Sequence, residues 1–464
     1  MRLINVIKKN NLLKSSILYT VGSLLIKGIN FFTFPIFSRM LSPGEYGSFN
    51  IFTVWVGFIS VFGGLQLNSS IAKGRVKFNK KEYDELIITI ISFTTTVFGV
   101  LTLISILFSK TISEHMGLNS NLILLATIQS FFSCIISIYS IHLIQNKEDK
   151  KCLTISFVVT ILNVVISFLL VLLMKHNKYI GLVLGGVLSN LLIGSIVYFK
   201  ATRGKLFITK KCLKYALKLS VPVIPHVLSQ QVLINADRIF IERYIGNEAV
   251  GIYGFIYNIG MVVNLLWGGI NNAWIPWYFD NLKENNIYEI NKMIKKYINI
   301  FTLIVISFMI VIPEIGKMFA PSSYWQGIKL IPIIILSYYC SFLYNFSVNL
   351  EFYVEKVIYI PIGTIIAGGV NVLLNIILIP KYGMVAASIT TLVSYIVLFI
   401  IHLLVVRYLI KYDDKNVSYY FGALFLMIIV TGCFYLIMDF IIIRYVILMG
   451  ILYLLLKVFK NFES

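Results

Sequence analysis

The sequence predicts an all-α integral membrane protein of about fourteen transmembrane helices, built as two parallel six-helix lobes plus two C-terminal helices. Three observations carry that expectation. The chain is 58% hydrophobic and only 13% charged, with a mean hydropathy of +0.86. Apolar stretches of roughly 20 residues, each long enough to cross a bilayer as a helix, recur along its whole length. One offset carries Arg39 onto Arg243 and Gly47 onto Gly251, and both pairs sit between two apolar stretches.

The predicted spans lie at 16–38, 46–67, 86–108, 120–143, 153–174, 179–199, 219–241, 249–272, 298–320, 327–350, 357–378, 384–406, 417–437 and 440–456, the last two separated by a tight turn at Asp439. The offset maps spans one to six onto seven to twelve. Six is even, so both copies enter the bilayer from the same side and the repeat is parallel. This gives residues 1–202 as the first lobe, 203–411 as a linker and second lobe, and 412–464 as two extra helices. The linker from Arg203 to Lys218 is basic with interspersed Leu, Phe, Ile and Tyr, the pattern of a segment lying along the inner membrane surface and joining the lobes. A second echo supports the repeat. LNVVISFLLVLLMKHNKYIGLVLGG, from Leu162, resembles VNVLLNIILIPKYGMVAAS, from Val370. Each has an asparagine in one helix, a Lys-Tyr turn and a glycine leading into the next. Gly181 and Gly185, and Gly383 and Ala387, then give the small-xxx-small spacing that lets membrane helices pack closely.

A net charge of +20 raises the question of nucleic acid, but its distribution argues for a membrane surface. With the N-terminus inside, the inside loops and the two tails hold most of the 40 Lys and Arg, as the positive-inside rule requires. Lys73, Arg75, Lys77, Lys80 and Lys81 fill one such loop, and Lys200, Arg203, Lys205, Lys210 and Lys211 begin the central one. They read as topology determinants near anionic lipid, with both termini cytoplasmic. The opening MRLINVIKKNNLLK leads into an apolar run too long for a signal peptide, which is expected to be an uncleaved first helix. Five scattered cysteines have no CxxC spacing and imply neither a metal site nor a disulfide framework. There is no nucleotide-binding loop and no cluster of carboxylates or histidines for catalysis, so neither an enzyme nor a cofactor is expected.

Polar residues at helical spacing inside a span must face protein or water. In the first span, Ser16, Thr20, Ser23, Lys27 and Asn30 lie along one face. Lys27 falls near mid-membrane, where a lysine costs about 2.5–3.5 kcal/mol to insert, so it needs a partner or an aqueous cavity. The second span carries Tyr46, Asn50, Thr53, Gly57, Ser60, Gly64 and Asn68. The seventh carries His226, Gln230 and Asp237 with Arg238 adjacent, and the eighth Tyr253, Tyr257, Asn264 and Asn271. The tenth adds Tyr338, Asn345 and Asn349, and the eleventh Thr364, Gly368, Asn371 and Asn375. One stripe alone reads as interhelical hydrogen bonding, at about 0.6 kcal/mol per bond. Stripes on the repeat-related spans 1, 2, 7 and 8 predict a shared cavity at the lobe interface. Its candidate binding residues are Lys27, Asn30, Asn50, His226, Gln230, Asp237, Arg238, Tyr257, Asn264 and Asn345. Amides, hydroxyls and tyrosines with few charges suit a cargo rich in hydroxyls, each of which would cost a few kcal/mol unpaired in lipid. Lys27 and Arg238 offer positive charge to a phosphate, and Asp237 is expected to pair with a basic residue.

FPIFSRMLSPGEYGSFNIF, NADRIFIERYIGNEAVGIYGFIYNIG from Asn235 and NVLLNIILIPKYGMVAASITTLVSY from Asn371 occur in that order across both lobes. Together they resemble the signatures of bacterial polysaccharide exporters and O-antigen flippases, of the multidrug/oligosaccharidyl-lipid/polysaccharide superfamily with its MATE-like fold. The resemblance implies a multi-pass protein of the bacterial cytoplasmic membrane. Its implied role is to move an undecaprenyl-diphosphate-linked oligosaccharide between leaflets by alternating access, for surface polysaccharide biosynthesis. The implied partners are that lipid-linked substrate, membrane lipid, and a polysaccharide polymerase with other assembly proteins; nucleic acid is not among them. An ion-coupled multidrug exporter and a lipid II-type flippase are the alternatives on the same fold. Drug exporters of this fold usually carry an acid in the first helix, and none stands between Ser15 and Ser38.

Overall fold

The computed structural model describes the backbone of residues 11–463, while side chains at 11–21, 23, 24, 27, 30 and 459–463 fall outside the description. The described residues are helical throughout, with no strand among them. Twelve of their helices are long and apolar enough to cross a membrane. One of the twelve, Tyr359–Leu409, holds two predicted spans, because the chain breaks at Gly383. There φ is 62° and ψ −141°, a conformation that glycine adopts without the Cβ penalty of other residues. A further helix, α1 (Asn11–Met40), covers the first predicted span.

The chain forms two compact units, one of residues 1–231 with 246–251, the other of residues 232–245 with 252–464. In the first unit, α1 ends at a turn whose sequence dictates the start of α2 (Pro43–Gly64). Ser42 accepts a hydrogen bond from the Glu45 backbone N–H while Glu45 reaches back to the Ser42 N–H, and Pro43 takes the first helical position. Glu45 also accepts the Lys178 backbone N–H at 2.7 Å, tying this turn to the one ahead of α8. Then follow α3 (Ile71–Lys77), α4 (Lys80–Leu107), α5 (Ser109–Met116), α6 (Ser120–Gln145), α7 (Asp149–Leu173) and α8 (Tyr179–Thr202). The basic helix α9 (Lys210–Ser220) buries Cys212, Ala216 and Ser220 along one face, and the first two join a core of Leu67, Ile71, Leu86 and Ile138. Its lysines occupy the other face, where Lys211 meets Glu82 at 2.6 Å.

Gly47 and Gly251 meet backbone to backbone within this unit. A Cβ on Gly47 would lie 1.7 Å from the Asn247 carbonyl oxygen, and one on Gly251 would lie 1.9 Å from that of Pro43. The contact is reciprocal, because the offset that relates the glycines also relates Pro43 to Asn247. Both positions require glycine because no Cβ fits.

The helices that contribute to the second unit are α10 (Ile224–Tyr244) and α11 (Asn247–Lys283), each partly in the first, then α12 (Ile287–Ile310), α13 (Ile312–Phe319), α14 (Ile331–Tyr353) and α15 (Tyr359–Leu404). An aromatic core of Trp267, Phe301, Phe342 and Phe346 packs α11, α12 and α14 together. The ninth span differs from its prediction at 298–320: α12 ends at Ile310 and α13 begins anew, with Pro313 in its first turn. A proline there cannot continue the preceding helix, since it has no N–H to give. The last two helices, α16 (Val417–Ile437) and α17 (Ile441–Glu463), flank a turn that contains Asp439. Arg444 fastens α17 to this unit through Glu314 and the Ile310 carbonyl oxygen, at 2.8 and 2.6 Å.

Candidate functional site

Two polar regions stand out, one in each unit. In the first unit a cavity of about 210 Å³ lies among α2, α6 and the start of α10. The α2 stripe supplies Gly57, Ser60 and Gly64, with Asn68 just beyond; Ser137 and Gln231 face them from the other helices. Asn68 Nδ2 donates to Ser137 Oγ at 3.2 Å. None of the residues lining it is charged. The glycines leave room: a Cβ on Gly57 would sit 3.1 Å from the Gln231 Oε1. Such walls offer both donors and acceptors with little electrostatic preference, which suits hydroxyl-rich groups.

In the second unit Asp237 is fully buried. Its carboxylate accepts hydrogen bonds from Thr391 Oγ1 at 2.5 Å, Asn375 Nδ2 at 2.7 Å and Tyr253 Oη at 2.8 Å. Tyr257 Oη lies 3.3 Å from the same carboxylate and 3.2 Å from Thr391 Oγ1. Asn375 also donates to Asn371 Oδ1 and accepts from Thr390. Four helical stretches converge here: α10, α11 and the two arms of α15 on either side of Gly383. A buried carboxylate met by hydroxyl and amide N–H donors has its charge compensated in place, and its oxygens are sites that a proton can occupy. Among the described residues no group of three or more His, Cys, Asp or Glu could hold a metal ion.

The expected basic partner for Asp237 is not what the structure gives. Its partners are hydroxyls and an amide, with no ion pair to it among the described residues. Arg238 points elsewhere, donating to Asn235 Oδ1 at 2.9 Å with its guanidinium 5.3 Å from the Tyr257 ring centroid. Adjacent residues on a helix diverge by about 100°, so Asp237 and Arg238 do not share a face. Of the predicted residues, the structure brings together Asp237 and Tyr257, with Arg238 against the far side of the cluster on the Tyr257 ring. Asn50 is buried on α2, and its Nδ2 has no hydrogen-bond partner among the described residues. His226 is half-buried, and Gln230 is exposed while its neighbour Gln231 lines the first unit's cavity. Asn264 is exposed, and Asn345 donates to the Ser341 carbonyl oxygen one turn back. Lys27 and Asn30 lie on α1, with side chains outside the described residues. The polar stripes named Tyr253, Asn371 and Asn375 but missed Thr390 and Thr391. Their signal was a buried Thr-Thr pair one turn after Ala386-Ala387, on the far arm of the span broken at Gly383.

The described chain is thus an all-helical, multi-pass membrane protein with an uncharged polar cavity in one unit and a buried carboxylate held by hydroxyl and amide N–H donors in the other. The chain belongs to the polysaccharide biosynthesis protein family, which it matches over residues 12–282. It is 26% identical over 355 residues to the Lsg locus putative protein 1 of Haemophilus influenzae, covering 74% of this chain and 85% of that protein. In structure it is similar to the lipid II flippase MurJ in its inward closed conformation, with a TM-score of 0.76 and 17% identity over 97% of this chain and all of that one. A multidrug resistance MATE family transporter in an inward-facing conformation gives a TM-score of 0.66 and 14% identity, covering 84% of this chain and 96% of that one. The family is that of polysaccharide biosynthesis proteins, and the fold is the one that the lipid II flippase and the multidrug transporter share.

Proposed function

We propose that this protein is a flippase of the bacterial cytoplasmic membrane, with both termini cytoplasmic, that moves an undecaprenyl-diphosphate-linked oligosaccharide to the outer leaflet by alternating access. The observation that carries this reading is the uncharged polar cavity of the first unit, in a chain of the polysaccharide biosynthesis family. Amide and hydroxyl walls exchange hydrogen bonds with sugar hydroxyls, removing the few kcal/mol that each would cost unpaired in hydrocarbon. The lipid tail stays in the bilayer while the sugar head crosses. The two halves, expected as lobes 1–202 and 203–411, act as the moving parts, with 412–464 outside the repeat. Asp237 supports ion drive: a buried carboxylate that exchanges a proton or a monovalent cation couples its own occupancy to the hydrogen bonds that join α10, α11 and α15. A polysaccharide polymerase and other assembly proteins are the partners that would consume the flipped product.

Deletion of the gene tests the reading. The expected result is loss of the surface glycan with accumulation of its lipid-linked precursor on the cytoplasmic side. A strain that displays its glycan normally and accumulates nothing contradicts it. A deletion that instead sensitises cells to cationic drugs favours the multidrug exporter of the same fold.

A further inference from the structure

A second polar cavity, of about 230 Å³, lies in the first unit where the start of α4 meets the ends of α6 and α8. Its walls include Asp84, Tyr139, His142, Lys200 and Arg203. His142 is sandwiched between Tyr83 and Tyr139, with ring centroids 5.5 and 5.7 Å away and planes within 24° of parallel. The neighbours of this stack fix its protonation. Arg75 donates from Nε to Asn146 Oδ1 at 3.2 Å, and arginine has no acceptor, so the Asn146 oxygen faces Arg75. The Asn146 amide nitrogen then faces His142 Nε2 at 3.1 Å and donates to it. His142 Nε2 is therefore the acceptor, and Nδ1 carries the proton. That Nδ1–H is buried and has no partner among the described residues.

The charges around it are mainly positive. Lys200 has no ion pair among the described residues, and Arg203 meets Asp84 at 3.4 Å with side chains 74% and 34% exposed. An exposed pair of that length contributes under about 1 kcal/mol and gives way to a stronger acceptor. Glu148, the other acid near His142, is held by Lys151 at 2.7 Å. We infer that this cavity binds a phosphate group, with Lys200 and Arg203 supplying charge and the His142 Nδ1–H a fixed donor. A basic cavity between helix ends at a membrane surface has the chemistry to take a lipid headgroup. The same donor set would take free phosphate.

The test uses the purified full chain in detergent, read by native mass spectrometry and by the thermal unfolding midpoint. The probes are phosphatidylglycerol, phosphatidylcholine and inorganic phosphate. Phosphatidylglycerol is expected to bind and to raise the midpoint, while phosphatidylcholine does neither. The Lys200→Gln/Arg203→Gln variant should weaken binding about tenfold or more. His142→Phe keeps the ring between its two tyrosines but lacks the donor, and should weaken binding several-fold. That second variant separates a built site from diffuse attraction to anionic lipid. Competition by inorganic phosphate at millimolar concentration identifies free phosphate as the ligand, and no competition identifies the lipid. Unchanged phosphatidylglycerol binding in both variants, or equal stabilisation by phosphatidylcholine, overturns the inference.

Discussion

The two units carry the same polar scaffold to different ends. In the first, Ser167 donates to Asn163 one turn back, at 3.1 Å; in the second, Asn375 donates to Asn371 at 2.9 Å, from the equivalent stretch of the second sequence echo. Among the described residues only the second has an acid hydrogen-bonded to the pair. The offset that relates Arg39 to Arg243 sets Thr33 where Asp237 stands. The first unit's cavity lies elsewhere, among α2, α6 and α10, and neither Asn163 nor Ser167 lines it. The second unit closes its polar groups on one another around a buried carboxyl group, whereas the first leaves amides and hydroxyls facing an open cavity. A buried charge is tolerated only when fully partnered, so the second region has little freedom to admit a large ligand. An uncharged cavity carries no such demand and has room to bind. Under the proposed function, the ion belongs to one unit and the sugar to the other.

Four substitutions test that division, from the largest expected effect to the smallest. Asp237→Asn keeps the shape and removes the charge. Export should fall roughly 5- to 150-fold, the span of a coupling free energy of about 1–3 kcal/mol, while folded protein accumulates normally. An unimpaired Asp237→Asn strain would remove the ion from the second unit. Gly57→Leu places a side chain toward Gln231, whose flexible end can yield. Glycan export should drop several-fold while thermal stability changes little, because the filled volume is cavity rather than core. Thr391→Val leaves the Asp237 carboxylate short of its 2.5 Å donor. It should destabilise the protein by about 1–3 kcal/mol, read as an earlier unfolding transition. Ser137→Ala removes a hydrogen bond to Asn68 beside the open cavity, where the freed amide stays hydrated. Its effect on unfolding should be at most about 1 kcal/mol. A larger loss for Ser137→Ala than for Thr391→Val would invert the comparison.

Much of the fold was legible because the bilayer restricts what a spanning segment can be. Twenty apolar residues in a row allow only a helix. The repeat offset relates Gly47 to Gly251, but that the two meet backbone to backbone is seen only in the structure. The site was legible in part. Helical spacing tells which residues share a face, so Tyr253 and Tyr257, and Asn371 and Asn375, came out as pairs. It does not tell which face of one helix meets which face of another. The expectation of a basic partner for Asp237 fails for that reason, since its partners are hydroxyls and an amide on α11 and on both arms of α15. The ninth span was misplaced for a local reason: hydropathy runs through Pro313 without a break, but the helix cannot.

The central claim is that this chain moves a lipid-linked oligosaccharide and that Asp237 drives the movement. The direct measurement reconstitutes the purified protein in vesicles loaded with undecaprenyl-diphosphate-linked oligosaccharide under an imposed proton or sodium gradient. A glycosidase added on one side then reports how much glycan becomes accessible over time. The wild type should expose glycan beyond the fraction accessible at the start, faster with the gradient than without, and Asp237→Asn should lose the gradient's effect. Accessibility that never rises above that of protein-free vesicles, or a gradient effect that survives in Asp237→Asn, contradicts the account.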